Sequence, residues 1–328
     1  FAVACSNKIF SWGSSPNLLR TAAHSAKRKM KASSEEKKES TTASIDDTVD
    51  FLTPKIVDTS LIEGSIVKVV AGSEHNVVLT DTGKLYTWGR NMDGQLGIKT
   101  SSITERRTQN ILSPTPILFV FWFTSHHGKS FYLLCLVVLG NGPTNRSVSG
   151  PAFIETFFNI GVRVFSISCG RNHTLAITDN GVYSWGNNKY GQLGNAHVVQ
   201  SSYPSLIEAL MEYNIIQIVA GQYHSIALDN KERVLTWGWG VHGQLGHGNI
   251  EDCFTPKIVA SLMNEEIIWC DAGQAHTLFL SKTGCVWACG SNTFGQLGTG
   301  RNKKSSVPLK ICALTEKIRS ISSGYFHN

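Results

Sequence analysis

Histidine has the widest chemical reach of any side chain in this sequence, and it recurs to a pattern. His75, His173, His224, His276 and His327 each follow a glycine by three positions, in Gly72-Ser73-Glu74-His75, Gly170-Arg171-Asn172-His173, Gly221-Gln222-Tyr223-His224, Gly273-Gln274-Ala275-His276 and Gly324-Tyr325-Phe326-His327. Imidazoles bind transition metals and move protons near neutral pH. A metal centre, however, needs ligands that converge, commonly with some only a few residues apart. From His173 onward the copies stand 51 or 52 positions apart, one per copy. Such residues lie on a ring of equivalent places, so the expectation is no metal and a buried imidazole bonded to the backbone of the neighbouring unit. The eight cysteines (5, 135, 169, 253, 270, 285, 289, 312) form no C-x-x-C pair, which predicts reduced thiols in an intracellular chain, cytoplasmic or nuclear. Phosphate-cradling glycine loops, G-x-S-x-G, H-E-x-x-H and a convergent carboxylate pair are all missing. The chain therefore reads as a non-enzyme with no catalytic residue and no cofactor.

The elements that place these histidines are themselves repeated. Gly94-Gln95-Leu96-Gly97, Gly191-Gln192-Leu193-Gly194, Gly243-Gln244-Leu245-Gly246 and Gly295-Gln296-Leu297-Gly298 share one motif, and the last three start at 191, 243 and 295, a constant step of 52. A fixed period of this size is the signature of a repeat architecture. Trp88-Gly89, Trp185-Gly186 and Trp237-Gly238 precede the quartets, and Cys289-Gly290 fills that place in the last copy. Each copy thus runs G-x-x-H, apolar run, turn, apolar run ending in W-G, then G-Q-L-G. The turns Asp81-Thr82-Gly83, Asp179-Asn180-Gly181 and Lys282-Thr283-Gly284 have hairpin chemistry. A proline element (Thr53-Pro54, Tyr203-Pro204, Thr255-Pro256, Val307-Pro308) predicts a fourth, edge strand opening on proline. Four short antiparallel strands per copy make a propeller blade. The fold class is all-β: a β-propeller of four-stranded antiparallel blades, about five of them here. Trp88, Trp185 and Trp237 are read as wedge-filling aromatics, and the five histidines as structural.

Thirty glycines against nine prolines and 41 % hydrophobic residues fit a turn-rich folded chain. The net charge of +6 is concentrated between Arg20 and Glu39, so the repeats are near neutral and a nucleic-acid-binding face is not indicated. The exception is the basic run at 27–31, a localisation or anion-binding patch, or simply a solvated linker. Residues 1–13 read as a half blade, 14–52 as a charged linker or insertion, and 53–117 with 153–328 as propeller repeats. Residues 118–152 read as a hydrophobic insertion, because Pro116 to His173 spans 57 positions where Pro204 to His224 spans 20. Three readings of the insertion stay open: a membrane segment at 117–139, a capping or partner-binding loop, and translated non-coding sequence. The first places His126, His127 and Lys129 mid-membrane, at about 2.5–3.5 kcal/mol for the lysine. The third is favoured because deleting the segment restores the period. The chain begins at Phe1 within a repeat, as expected of a piece of a longer protein, and Ile318–Asn328 carries the half-repeat that the opening residues lack.

Recognition belongs where the copies differ. Two slots vary inside fixed frames: the pair within G-x-x-H and the residues before G-Q-L-G. They give Glu74, Asp93, Arg171, Asn172, Tyr190, Tyr223, Trp239, His242, Phe294 and Tyr325 as candidate partner-binding residues, with Tyr, Trp and Arg the types favoured at protein contacts.

The pattern Gly170-Arg-Asn-His-Thr-Leu-Ala-Ile, Gly181-Val-Tyr-Ser-Trp185-Gly186, Gly191-Gln-Leu-Gly194 resembles the regulator-of-chromosome-condensation repeat family. Kelch repeats carry a Gly-Gly doublet that is absent here, and WD repeats are shorter and end in Trp-Asp. The resemblance implies a seven-bladed propeller whose founding member is an exchange factor for the small GTPase Ran and also contacts nucleosomes. Other members are protein-binding modules of ubiquitin ligases, kinases and trafficking proteins. A plant branch senses ultraviolet light through a Gly-Trp-Arg-His-Thr motif missing here, and no exchange wedge can be matched residue by residue. The resemblance thus implies a non-catalytic scaffold for a protein partner, with exchange on a small GTPase as the alternative and a membrane-associated repeat protein through 117–139 as the second.

Overall fold

A computed structural model describes residues 1–4, 6–11, 54–98 and 147–328. The readings of the charged linker at 14–52, of its basic run at 27–31 and of the apolar segment at 117–139 lie outside these residues. Among the described residues, no helix is long and apolar enough to cross a membrane.

The described chain is a succession of antiparallel sheets. Strands β1 (Ala2–Val3), β2 (Ile9–Ser11) and β3 (Lys55–Val57) make a three-stranded sheet. Blade two comprises β4 (Ile66–Ala71), β5 (His75–Thr80), β6 (Leu85–Arg90) and β7 (Ser147–Phe153). Blade three follows with β8 (Val164–Cys169), β9 (His173–Thr178), β10 (Gly181–Gly186) and β11 (Ser201–Leu206). Blade four holds β12 (Ile215–Ala220), β13 (His224–Asp229), β14 (Val234–Gly238) and β15 (Cys253–Ile258). Blade five holds β16 (Ile267–Ala272), β17 (His276–Ser281), β18 (Val286–Gly290) and β19 (Ser305–Lys310). A short helix α1 (Glu155–Asn159) joins blades two and three. The all-β propeller read from the repeats is the fold.

Alternation along each strand explains why blades stack. In β9, Leu175 faces a core shared with Ile215, Ile218, Leu235 and Trp237 of blade four. Its neighbour Ala176 faces the opposite core, with Val77, Leu79 and Leu85 of blade two. Successive side chains on a strand point to opposite faces, so a middle strand that is apolar on both faces is satisfied only between two other blades. The same holds one step on, where Ile226 and Leu228 meet Ile267, Cys270 and Phe279.

Three features depart from the sequence reading. The fourth strand of blade two is Ser147–Phe153 and pairs with β6 through Tyr86↔Phe153 and Thr87↔Ala152. Residues 147–152 therefore belong to the blade, and Pro151, not Pro116, takes the place that Pro204 holds in blade three. Gly94 to Pro151 spans 57 positions where Gly191 to Pro204 spans 13, so the extra sequence lies between Gly97 and Ser147. Secondly, Pro204 and Pro308 sit inside the outer strands, not at their start. The ladder slips there, with Ser184↔Ser205 but Gly186↔Ser201. On an edge strand at a bulge, a residue without N–H breaks no ladder bond. Thirdly, Ile318–Asn328 forms no strand. It lies against blade five, with Gln274 N donating to Tyr325 O at 3.1 Å and Ser323 N donating to Asp271 Oδ2 at 2.6 Å.

Candidate interaction face

The repeated residues are consumed by contacts between blades. His75, His173 and His224 are fully buried, and their Nε2 atoms lie 3.0 Å from Thr174 Oγ1, Ser225 Oγ and Thr277 Oγ1, each in the next blade. These hydroxyls donate in turn to backbone carbonyls of the G-Q-L-G glutamines: Ser225 to Gln192 O and Thr277 to Gln244 O, both at 2.7 Å, and Thr174 to Gln95 O at 3.5 Å. The same carbonyls accept the indole N–H of Trp185 (3.0 Å, Gln95 O) and Trp237 (2.9 Å, Gln192 O). Cys289 takes the tryptophan's place with a thiol 3.4 Å from Gln244 O. The imidazole partner is thus a side-chain hydroxyl, not the backbone expected from sequence, and the backbone bond comes one link later.

This relay fixes the tautomer. A hydroxyl that gives its proton to a carbonyl must accept from the histidine, so Nε2 carries the hydrogen. Nδ1 of each of these histidines has no hydrogen-bond partner. A second proton there would be a buried charge with nothing to receive it. Burial accordingly pushes His75 down to about 4 and His173 and His224 to about 3. His276 meets Asn328 Oδ1 at 2.7 Å in place of a hydroxyl and is also lowered by burial. His327 is exposed. Nowhere among the described residues do three or more metal-ligating side chains cluster.

The glycine of G-x-x-H is there for close approach. A Cβ on Gly170 would stand 2.2 Å from His173 Cε1 and 2.5 Å from Gly221 O of the next blade. These glycines ring a cavity of about 280 Å³ on the axis, bordered by Ser73, Arg171, Gln222, Gln274 and Tyr325. The last glycine of G-Q-L-G is doubly constrained. Gly194 has φ +77°, and a Cβ on it would meet Trp237 Nε1 at 2.8 Å.

With the shared residues spent on packing, the varying ones gather on one face around the axis. Tyr190, Tyr223 and Trp239 form a triangle with ring centroids 5.2, 5.6 and 5.7 Å apart, and His242 stands edge-on to Trp239 at 4.9 Å. The Arg171 guanidinium lies 5.7 Å from the Tyr223 ring and Lys189 Nζ 5.2 Å from that of Tyr190. On blade two, Asp93 accepts from Asn172 at 2.7 Å and from Asn187 at 3.1 Å, while Glu74 pairs with Arg90 at 2.6 Å. On the far side Phe294 packs on Phe326 (4.7 Å) and Tyr325 on Phe326 (4.5 Å), with Phe294 66 % exposed. Gln222 Nε2 donates to Tyr325 OH at 3.1 Å, linking the two aromatic groups. The ten candidates from sequence thus fall into groups: Arg171, Tyr190, Tyr223, Trp239 and His242 meet through their rings, Asp93 and Asn172 through a hydrogen bond, Phe294 and Tyr325 through Phe326, and Glu74 pairs with Arg90.

Lys189, Asn187 and Phe326 complete this surface. The signal of Lys189 and Phe326 was present, since they occupy the same variable slots; Asn187 stands one position ahead of its slot. Lys304 was outside the slots, yet its Nζ reaches Val241 O at 3.2 Å. Burial first, and the Lys304 charge second, lower His242.

A family model for the RCC1-like domain matches residues 37–328. The chain belongs to the RCC1-like domain family. It is 32 % identical over 251 residues to the E3 ubiquitin-protein ligase HERC2 of Homo sapiens, covering 71 % of this chain and 5 % of that protein. It is 29 % identical over 294 residues to the ultraviolet-B receptor UVR8 of Arabidopsis thaliana, covering 84 % and 64 %. This RCC1-like chain thus spans a small fraction of the ligase and less than two thirds of the receptor. Human WBSCR16 shares its fold at a TM-score of 0.62 and 22 % identity, over 83 % of this chain and 60 % of that one. Yeast RCC1 (Prp20), crystallised bound to Kap60, superposes at 0.51 with 20 % identity, over 83 % and 69 %.

Proposed function

We propose that this RCC1-like propeller is a non-catalytic interaction module, and that its partner is a protein docking on the face built by Arg171, Tyr190, Tyr223, Trp239, His242, Phe294 and Tyr325. The observation that carries this reading is the division of labour within each repeat. Residues common to the copies are buried in the His–hydroxyl–carbonyl relay, and the residues that differ meet on one surface of aromatic and cationic side chains. Aromatic rings and guanidinium groups supply most of the energy at protein interfaces. The free cysteines among the described residues fit a reducing compartment, cytoplasmic or nuclear.

Tagged chain and a Tyr190→Ala/Trp239→Ala variant, incubated in parallel with cell extract, test the reading. Proteins enriched by the first and lost by the second, at equal thermal stability, support it. Equal enrichment by both contradicts it.

A second reading, exchange on a small GTPase, draws on yeast Prp20p, whose crystal structure was described together with its binding to Gsp1p and histones. The two readings part in one assay. A GTPase loaded with fluorescent GDP releases it faster in the presence of an exchange factor and at the unaided rate in the presence of a scaffold.

A further inference from the structure

The end of the propeller opposite the aromatic face is apolar to a pattern. It is made by the hairpin turns within the blades and by the connections from each outer strand to the next inner one. In the inner strands β4, β8, β12 and β16 the ladder skips one residue. Ile66↔Thr80 is followed by Lys68↔Leu79, Val164↔Thr178 by Ser166↔Ile177, Ile215↔Asp229 by Gln217↔Leu228, and Ile267↔Ser281 by Trp269↔Leu280. The skipped residues are Val67, Phe165, Ile216 and Ile268, each between 44 and 63 % exposed. A regular strand would turn that side chain into the opposite inter-blade core; a bulge aims it elsewhere. Four successive blades thus use a bulge to present one apolar side chain to water.

A second row comes from the connections. Leu61, Phe158, Met211 and Met263 stand five to seven positions before the bulged residues and are 61–70 % exposed. Between blades two and three the surface opens into a groove of about 300 Å³ bordered by Leu85, Phe153, Phe157 and Phe158. Single exposed apolar residues are ordinary, but the same two places repeated in four blades make a continuous patch, the mark of a contact surface. Charge at this end has one sign. The connections 58–65, 154–163, 207–214 and 259–266 hold seven acidic residues and one basic, Arg163, whereas the turns at 81–84, 179–181, 229–233 and 282–285 balance at four of each. Lys84 pairs with Glu63, Arg233 with Asp229 and Lys282 with Glu266. Glu155, Glu208 and Glu212, which flank Phe158 and Met211 in the chain, are exposed and make no ion pair among the described residues.

We propose that this end docks an amphipathic helix of a partner protein, its apolar stripe flanked by lysine or arginine, independently of the aromatic face. The helix follows from the backbone. The connections bond their amides within themselves, as Ile62 N does to Thr59 O, Met211 N to Glu208 O and Met263 N to Ala260 O, and the free edges of the inner strands line the axis. The surface therefore offers side chains but no ladder to extend, and a segment laid on it must satisfy its own amides, as a helix does. The basic flanks follow from the unpaired carboxylates of Glu155, Glu208 and Glu212. These same charges disfavour two other occupants: a second copy would set like charges against each other, and an anionic bilayer would be repelled.

The test uses two fluorescent helical peptides of about five turns, one of leucine and lysine, the other of leucine and glutamate, with the same apolar stripe. By anisotropy the lysine peptide should bind the wild-type chain about tenfold more tightly than the glutamate peptide. Phe165→Ser/Ile216→Ser and, separately, Glu208→Gln/Glu212→Gln should each weaken it about fivefold or more at unchanged melting temperature, while Tyr190→Ala/Trp239→Ala should bind it as the wild type does. Equal affinity of the wild type and the serine variant for the lysine peptide overturns the proposal, as does equal binding of the two peptides, or loss of binding in the Tyr190/Trp239 variant. Co-sedimentation with phosphatidylcholine–phosphatidylserine vesicles, or a dimer in sedimentation equilibrium, abolished by the same serine pair, also overturns it and assigns this end to a membrane or to a second copy.

Discussion

The three buried histidines are neutral in the fold and ordinary in the unfolded chain, and this has a sign. Their folded values, about 3 to 4, lie below the unfolded value of about 6.5. The unfolded state therefore binds more protons as pH falls, and stability drops. The contribution is whole above pH 6.5 and declines from there down through the folded values, by about 1.4 kcal/mol per unit for each histidine while it stays neutral in the fold. Denaturant titrations at pH 7 and pH 5 check this, and His173→Gln should flatten the difference. Ser225→Ala removes the hydroxyl joining His173 to Gln192 O and should cost about 1–3 kcal/mol, the penalty of leaving buried polar atoms unpaired. Gly170→Ala puts a methyl group into His173 and Gly221 O and should cost about 1–3 kcal/mol or more. The positions of these residues were legible in the sequence; their partners were not. A repeat read along one dimension shows that Thr174, Ser225 and Thr277 follow histidine, but not that the hydroxyl serves the histidine of the preceding blade.

At the scale of strands, what the sequence showed depended on how strictly the frame repeats. Strands β8 to β10 were legible from G-x-x-H, the Asp179-Asn180-Gly181 turn and Trp185-Gly186, because alternation and turn chemistry are local. The fourth strand of blade two was not. The sequence offers Pro116 as the edge-strand start, and only pairing with Tyr86 and Thr87 decides for Ser147–Phe153. That placement carries a prediction. Replacing residues 99–146 by the short connection that follows Gly194 in blade three should leave the chain folded, with its melting temperature within a few degrees. Loss of the cooperative melt in circular dichroism would show that the insertion supports the blade.

For the molecule as a whole, the repeats leave two kinds of residue. Gln95, Gln192 and Gln244 present carbonyls to the next blade, so the structure propagates by nearest-neighbour contacts, as repeat proteins do. Tyr190, Tyr223 and Trp239 make no such bond and come together only because three loops from two blades rise on one side of the axis. Their variability across copies was visible in the sequence; their adjacency needed the propeller. The two kinds should respond oppositely to mutation. The most direct test is to measure, for one partner captured by the wild-type chain and then purified, its affinity and the chain's denaturation midpoint in His173→Ala and in Trp239→Ala/Tyr190→Ala. The division of labour predicts a lowered midpoint with near-native affinity at subdenaturing conditions for the first variant, and an unchanged midpoint with at least tenfold weaker binding for the second. Equal affinity of wild type and the aromatic variant would contradict it.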